Sequence, residues 1–192
     1  MTDRNDTAAL LAELNDLLQL EYDALPVYGL AIAALRRPEY RDVLAEFRDD
    51  HRRHVQELSR LIRDLGGIRL PLPHMPTGLF KLAVQAAALP GGDRAILLAF
   101  KSNEWQSRAK YARHAGRDHP ADIAAVLERN ATDEARHYAW ACATLDELNC
   151  GSGTFVGSAT DLFARIHGTN ADVVEAAGRA ALEATVRLTR AA

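Results

Sequence analysis

Apolar residues recur every three or four positions through most of this chain, the spacing of one buried face of an α-helix. From Thr7 to Arg36 the face reads Leu10, Leu14, Leu17, Leu18, Leu25, Tyr28, Ile32 and Leu35. Pro38 opens a second helix after almost no loop, with Leu44, Phe47, Leu58, Leu61, Ile62 and Leu65 inside and Gly66-Gly67 as its stop. A third helix is expected from Gly91-Gly92 to His114, with Asp93 as N-cap and Leu97, Phe100 and Tyr111 on its inner face. After the turn Arg117–Pro120, a fourth runs to about Leu148 through Ile123, Leu127, Ala141 and Leu145. Two tight hairpins thus flank a long connection that holds Pro71, Pro73 and Pro76 and then a short amphipathic turn near Leu79–Leu89. The pattern predicts an all-α fold: a four-helix bundle over residues 1–150, and beyond Gly151-Ser152-Gly153 a C-terminal helical extension over 151–192. In that tail Thr169–Arg190 reads as an Ala-rich helix whose small residues suit close packing on the bundle or on a second subunit of a homodimer.

Polar groups interrupt these apolar stripes at matching places. The second helix reads Leu44, Phe47, His51, His54, Leu58 and Leu61; the fourth reads Ile123, Leu127, Asn130, Glu134, His137 and Ala141. Glu21 lies between Leu18 and Leu25, and Glu104 between Phe100 and Tyr111. The two hairpins superimpose at a constant offset of 83 residues, which pairs Leu14 with Leu97, Glu21 with Glu104, Tyr28 with Tyr111, Leu44 with Leu127, Asp50 with Asp133 and His54 with His137. His51 alone breaks the inner polar match, standing where the second half has Glu134. A pseudo-twofold bundle is implied, with Glu21, His51, His54, Glu104, Glu134 and His137 converging near its axis.

Three buried carboxylates without partners would cost several kcal/mol each, comparable with the roughly 5–15 kcal/mol that stabilises a whole domain. No lysine lies on the stripes to neutralise them, and Arg52, Arg53 and Arg136 sit beside the stripe where they reach solvent. A divalent cation resolves this, and mixed carboxylate and imidazole donors suit iron, manganese or zinc. The remaining histidines, His74, His114, His119 and His167, fall in expected loops and helix ends and read as solvated. Pro26 removes a backbone hydrogen bond one turn after Glu21, so a kink or π-bulge beside the site competes with simple bending.

Composition narrows the remaining classes. The net charge of −3, from 23 basic and 26 acidic residues, gives no basic face for nucleic acid, and no apolar run is long enough to cross a membrane. Polar residues break any early apolar run, and Cys142 and Cys150 stand too far apart along a helix to pair. A reduced, cytoplasmic protein is expected.

The segment Asp133-Glu134-Ala135-Arg136-His137 resembles the Asp-Glu-x-x-His signature of bacterioferritins, rubrerythrins and other ferritin-like di-iron carboxylate proteins. Glu21 and Glu104 match the single glutamates those proteins supply from two further helices, and the resemblance spans roughly residues 7–149. It implies the ferritin-like connectivity of two hairpins joined by one crossover. It further implies Asp50 and Asp133 as groups that orient the histidines, and Tyr28 and Tyr111 as tyrosines beside the metals. The implied chemistry is reduction of dioxygen or peroxide at iron or manganese, in iron handling or oxidative-stress protection. The alternative is a bundle that holds a metal for stability, or none, and serves as a structural or interaction protein. His51 departs from the family pattern, because an imidazole cannot easily replace a carboxylate that bridges two metals. The site then holds two metals unequally, or one, with His51 either a ligand or a partner for Glu21 or Glu134.

Overall fold

The computed structural model describes residues 4–191, and residues 1–3 and 192 lie outside them. All regular structure among the described residues is helical: α1 (Arg4–Ala34), α2 (Pro38–Asp64), α3 (Thr77–Ala88), α4 (Gly92–Ala115), α5 (Ala121–Glu147) and α6 (Phe155–Ala191), with one 3₁₀ turn at Leu89–Gly91. Three residues join α1 to α2, which forces an antiparallel hairpin, and α4 and α5 form the second. Pro38 starts α2 where its missing N–H costs nothing. Gly66, at φ 69°, ends it: the N–H groups of Gly66 and Gly67 close back on the carbonyls of Arg63 and Ile62. Asn149, at φ 56°, ends α5 in the same way. Asp93 does not cap α4. That helix begins one residue earlier, and the Asp93 carboxylate instead accepts the N–H groups of Arg36 and Arg37, 2.8 and 3.2 Å away, pinning the first hairpin's loop to the second hairpin. α1 runs through Pro26 without interruption.

Two apolar clusters fill the bundle interior. One gathers Leu14, Leu17, Leu18, Leu58, Ile62, Tyr111 and Leu127; the other gathers Tyr28, Leu35, Leu44, Phe47, Leu97, Phe100 and Leu145. The polar residues read from the sequence lie between them.

A second layer covers the bundle. The crossover after Gly67 is strapped to α1 by Asn15, whose amide donates to the Ile68 carbonyl while its oxygen accepts the Leu70 N–H. Then α3 and α6 both lie on α1 and α4. α6 begins fourteen residues before the expected Thr169 and runs antiparallel to α1 and parallel to α4, as its successive contacts Asp161–Lys101, Glu175–Lys110 and Arg179–Asp16 trace. Its inward face is built of small residues: Gly157, Ala164, Gly168 and Ala171 are buried, and a Cβ at Gly168 would lie 2.5 Å from the Trp105 ring. No helix among the described residues is long and apolar enough to cross a membrane.

Four histidines expected in solvent are inside. His74, His114 and His167 are buried, and the His119 side chain is 5% exposed. His74 bridges Asp23 and Asp16 at 3.0 Å each; His114 meets Glu13 at 2.5 Å, and His119 reaches the His114 carbonyl. For His74 and His167 the reason is the second layer, while His114 and His119 close on Glu13 near the start of α1. α1 and α4 are covered on their outer faces too, so residues that would be surface groups on a bare bundle are enclosed.

Candidate metal centre

Glu21 on α1, His51 and His54 on α2, Glu104 on α4, and Glu134 and His137 on α5 meet midway along the bundle, each at most 2% exposed. Two overlapping sets of four offer ligand atoms within 4.8 Å of one another: Glu21, His51, His54 and Glu134, and then His51, Glu104, Glu134 and His137. His51 and Glu134, the pair that breaks the internal repeat, belong to both sets. The structure therefore places His51 at the middle of the cluster. Its Nδ1 lies 2.6 Å from Glu21 Oε2 and 3.6 Å from Glu134 Oε1.

The two outer histidines are held in a crossed arrangement. Asp133 on α5 sits 3.3 Å from His54 Nε2 on α2, and Asp50 on α2 sits 3.0 Å from His137 Nε2 on α5. Arg53 and Arg136 close the exchange, each bridging Asp50 and Asp133. With Nε2–H donated to a carboxylate, Nδ1 of each ring is directed toward the centre, where the neutral ring offers its lone pair. His54 Nδ1 stands 3.4 Å from Glu21 and 3.6 Å from Glu134; His137 Nδ1 stands 3.7 Å from Glu104. Phe47 stacks on the His137 ring at 4.2 Å and fixes its plane. The tyrosines, at repeat-related positions, take different partners: the Tyr111 hydroxyl donates to Glu21, and the Tyr28 hydroxyl lies 3.4 Å from His137 Nδ1.

The electrostatics are those of a site short of positive charge. Burial pushes the Glu134 carboxyl well above its ordinary range, and the neighbouring Glu104 and Glu21 carboxylates push it further. Burial likewise raises Glu104, to about 7. At Glu21 burial opposes ionisation, but the His51 and His54 rings outweigh it and hold the carboxyl far below normal. Burial disfavours a charged His54, yet Glu21 and Asp133 overcome it and raise the ring to about 9. Burial, reinforced by His51 and His54, lowers His137 to about 3. Both tyrosines, buried beside carboxylates, are pushed well above 10 and remain hydrogen-bond donors.

Whether the residues suit a cation is decided by what is left unpaired. Both Glu134 oxygens, Glu104 Oε2, His54 Nδ1 and His51 Nε2 are buried without a hydrogen-bond partner. Most buried polar side-chain atoms of native interiors have a partner, and here five that lack one cluster in one place. Three carboxylates and three imidazoles facing one dry space form a donor set that fits a transition-metal ion.

Among known sequence families, one described as a domain of unknown function, DUF2383, matches residues 9–73, about a third of the chain. That stretch takes in most of α1, all of α2 and the start of the crossover, and so carries Glu21, His51 and His54. DUF2383 falls in the ferritin-like type of helical fold group. No curated protein and no solved structure matches the chain.

A second buried polar cluster was not legible in the sequence. Asp16, His74 and Glu175 also bring ligand atoms within 4.8 Å of one another, but this group already has its cations. Lys110 reaches Asp16 at 2.8 Å and Glu175 at 2.7 Å, Lys81 reaches Asp23 at 2.6 Å, and Arg179 reaches Asp16 at 3.0 Å. The three lysines of the chain, Lys81, Lys101 and Lys110, are all buried in such pairs. The contrast sharpens the reading of the central site, which lacks any such lysine.

Proposed function

We propose that this protein is a ferritin-like metal-binding bundle in which Glu21, His51, His54, Glu104, Glu134 and His137 hold one or two ions of iron or manganese, and that it reduces dioxygen or peroxide there in iron handling or oxidative-stress protection. The observation that carries this reading is the convergence of five unpartnered donor atoms from α2, α4 and α5, beside carboxylates that no lysine or arginine pairs with among the described residues. The bound metal would supply the electrons for reduction. The chain's own residues would do the rest. Asp50 and Asp133 fix the tautomer and plane of His137 and His54 from outside, which in such sites strengthens the ligand. Tyr28 and Tyr111, kept protonated by burial, are the hydrogen-bond donors facing the reacting volume, and we assign them the positioning of substrate oxygen. The apolar clusters at either end exclude water and favour reaction over leakage. His51 and Glu134 tie the two halves together: the set on the Glu21 side has two imidazoles and two carboxylates, and so has the set on the Glu104 side, but both draw on these same two residues. With those two donors shared, occupancy of one side competes with the other, and a single tightly held ion is the favoured state.

A second reading has its own support. With Glu134 and Glu104 both raised toward neutrality and His54 raised toward its charged form, protons can stand in for the cation, and the site then becomes a polar core without turnover. Ferrous iron added without oxygen to metal-free protein, followed by air, separates them. Oxygen uptake above that of iron alone, abolished by Glu21→Ala, supports the oxidoreductase reading. Iron retained without uptake supports a structural metal, and no retention supports the proton-filled core.

A further inference from the structure

α6 is built inside out. Its small residues face the bundle, as Gly157, Ala164, Gly168 and Ala171, while its large apolar residues face away. Phe155, Ala159, Leu162, Ile166, Thr169 and Val173 are all exposed, and the spacing alternates four and three, the repeat of a helix seam that packs on another helix. Ala177, Ala180 and Ala184 continue the same exposed stripe. Phe155 is 90% exposed, Val173 66% and Leu162 61%. Phe80 of α3 borders the stripe and, with Phe163, Ile166 and Val174, gives an apolar lining to a groove of about 420 Å³ that Thr77, His167 and Asn170 also border. His167 looks into that groove, 8% exposed, with neither ring nitrogen hydrogen-bonded.

We propose that a second copy of this chain docks here, each copy's α6 stripe and α3 edge lying on the other's in a twofold dimer. The area supports this. With roughly 150–250 Å² for an aromatic side chain and less for an aliphatic one, the exposed fractions of Phe155, Val156, Leu162, Phe163, Ile166, Val173 and Val174, with Phe80 beside them, leave on the order of 800 Å² of apolar surface per copy. A stable interface covers about 800 Å² per partner, whereas single chains seldom expose a continuous apolar patch above roughly 300–600 Å². A small molecule seated in the groove would cover Phe80, Phe163, Ile166 and Val174 but leave Phe155, Leu162 and Val173 in water. A helix with the same four-three spacing covers the whole line, and the only helix of that kind guaranteed to be present is this one. The proposal is independent of the metal centre, because no residue of the stripe lies within the bundle interior.

Light scattering on a sizing column at about 50 µM tests it. The expected mass is twice the 21.0 kDa chain, and Leu162→Glu with Ile166→Glu should return it to a single chain with unchanged helical circular dichroism. Should that pair aggregate, the milder Leu162→Gln should still raise the dissociation constant at least tenfold. A wild-type chain of single mass at this concentration overturns the proposal, as does a dimer that survives both charged substitutions. A single chain carrying a bound organic molecule in native mass spectrometry also overturns it and returns the groove to a small ligand.

Discussion

Replacing Glu134 by leucine should have opposite effects on the protein with and without metal. Glu134 is fully buried, neither oxygen has a hydrogen-bond partner, and Glu104 and Glu21 crowd it with like charge. Leucine has nearly the same volume and no polar atoms to leave unsatisfied. Removing a buried polar group without a partner returns about 1–3 kcal/mol, the cost of its desolvation. For a chain of this size each kcal/mol moves the midpoint by about 2–4 °C, so metal-free Glu134→Leu should melt roughly 2–12 °C above metal-free wild type. The metal-loaded comparison reverses. Wild type should gain about 2.7 kcal/mol at a free metal concentration one hundred times the dissociation constant, and the variant, having lost a donor shared by both ligand sets, should gain almost none. Thermal unfolding in chelator and in ferrous or manganous buffer reads both numbers. A variant less stable than wild type in chelator, or one that keeps the full metal-dependent shift, would refute the reasoning, because Glu134 would then be a structural group with partners of its own.

Glu104 sets a pH dependence. Its carboxyl titrates at about 7 in the folded protein against 4.5 ordinarily, so the unfolded chain releases this proton first and the share of wild-type stability that rests on Glu104 falls as pH rises from about 4.5 to 7, then levels off. At 1.36 kcal/mol per unit the loss is about 3 kcal/mol; Glu104→Gln should erase it, so that in chelator the variant's advantage over wild type grows across that window, as urea titrations at pH 5 and 7.5 would show. Asp133→Ala removes the carboxylate beside His54 Nε2 and should weaken metal binding about 10–100-fold while the helical content is retained, read by competition with a coloured chelator. Lys110→Met leaves Asp16 and Glu175 short of a buried cation and should cost about 3–5 kcal/mol in denaturant unfolding, without changing the metal stoichiometry of the folded fraction.

The bundle and its central site were readable in the sequence because both rest on periodicity. Acids and imidazoles placed three or four residues apart inside an apolar stripe can only face the core, and the 83-residue offset located their counterparts. What periodicity could not show was a second buried face. Asp16, Asp23, Lys81 and Lys110 have the composition of a solvated surface, and only the positions of α3 and α6 reveal that they are enclosed. His74 and His167 escape periodicity for the same reason, since their burial depends on what later segments cover, and His114 and His119 escape it because the carboxylate they close on, Glu13, lies about a hundred residues earlier in the chain. The early start of α6 was hidden by Gly157 and Gly168, which weaken a helix on paper but permit its close approach to Gly151 and Trp105. Asp93 was misplaced because a carboxylate at a helix start can serve its own helix or a neighbouring loop, and the sequence does not say which.

Metal content is the most direct test of the central claim. The protein, stripped with chelator, dialysed against ferrous or manganous ion without oxygen and freed of excess, should retain between one and two ions per chain by elemental analysis, and Glu21→Ala with Glu104→Ala should retain none while keeping its helices. Wild-type protein that retains no metal, or a double variant that retains as much as wild type, would contradict the account.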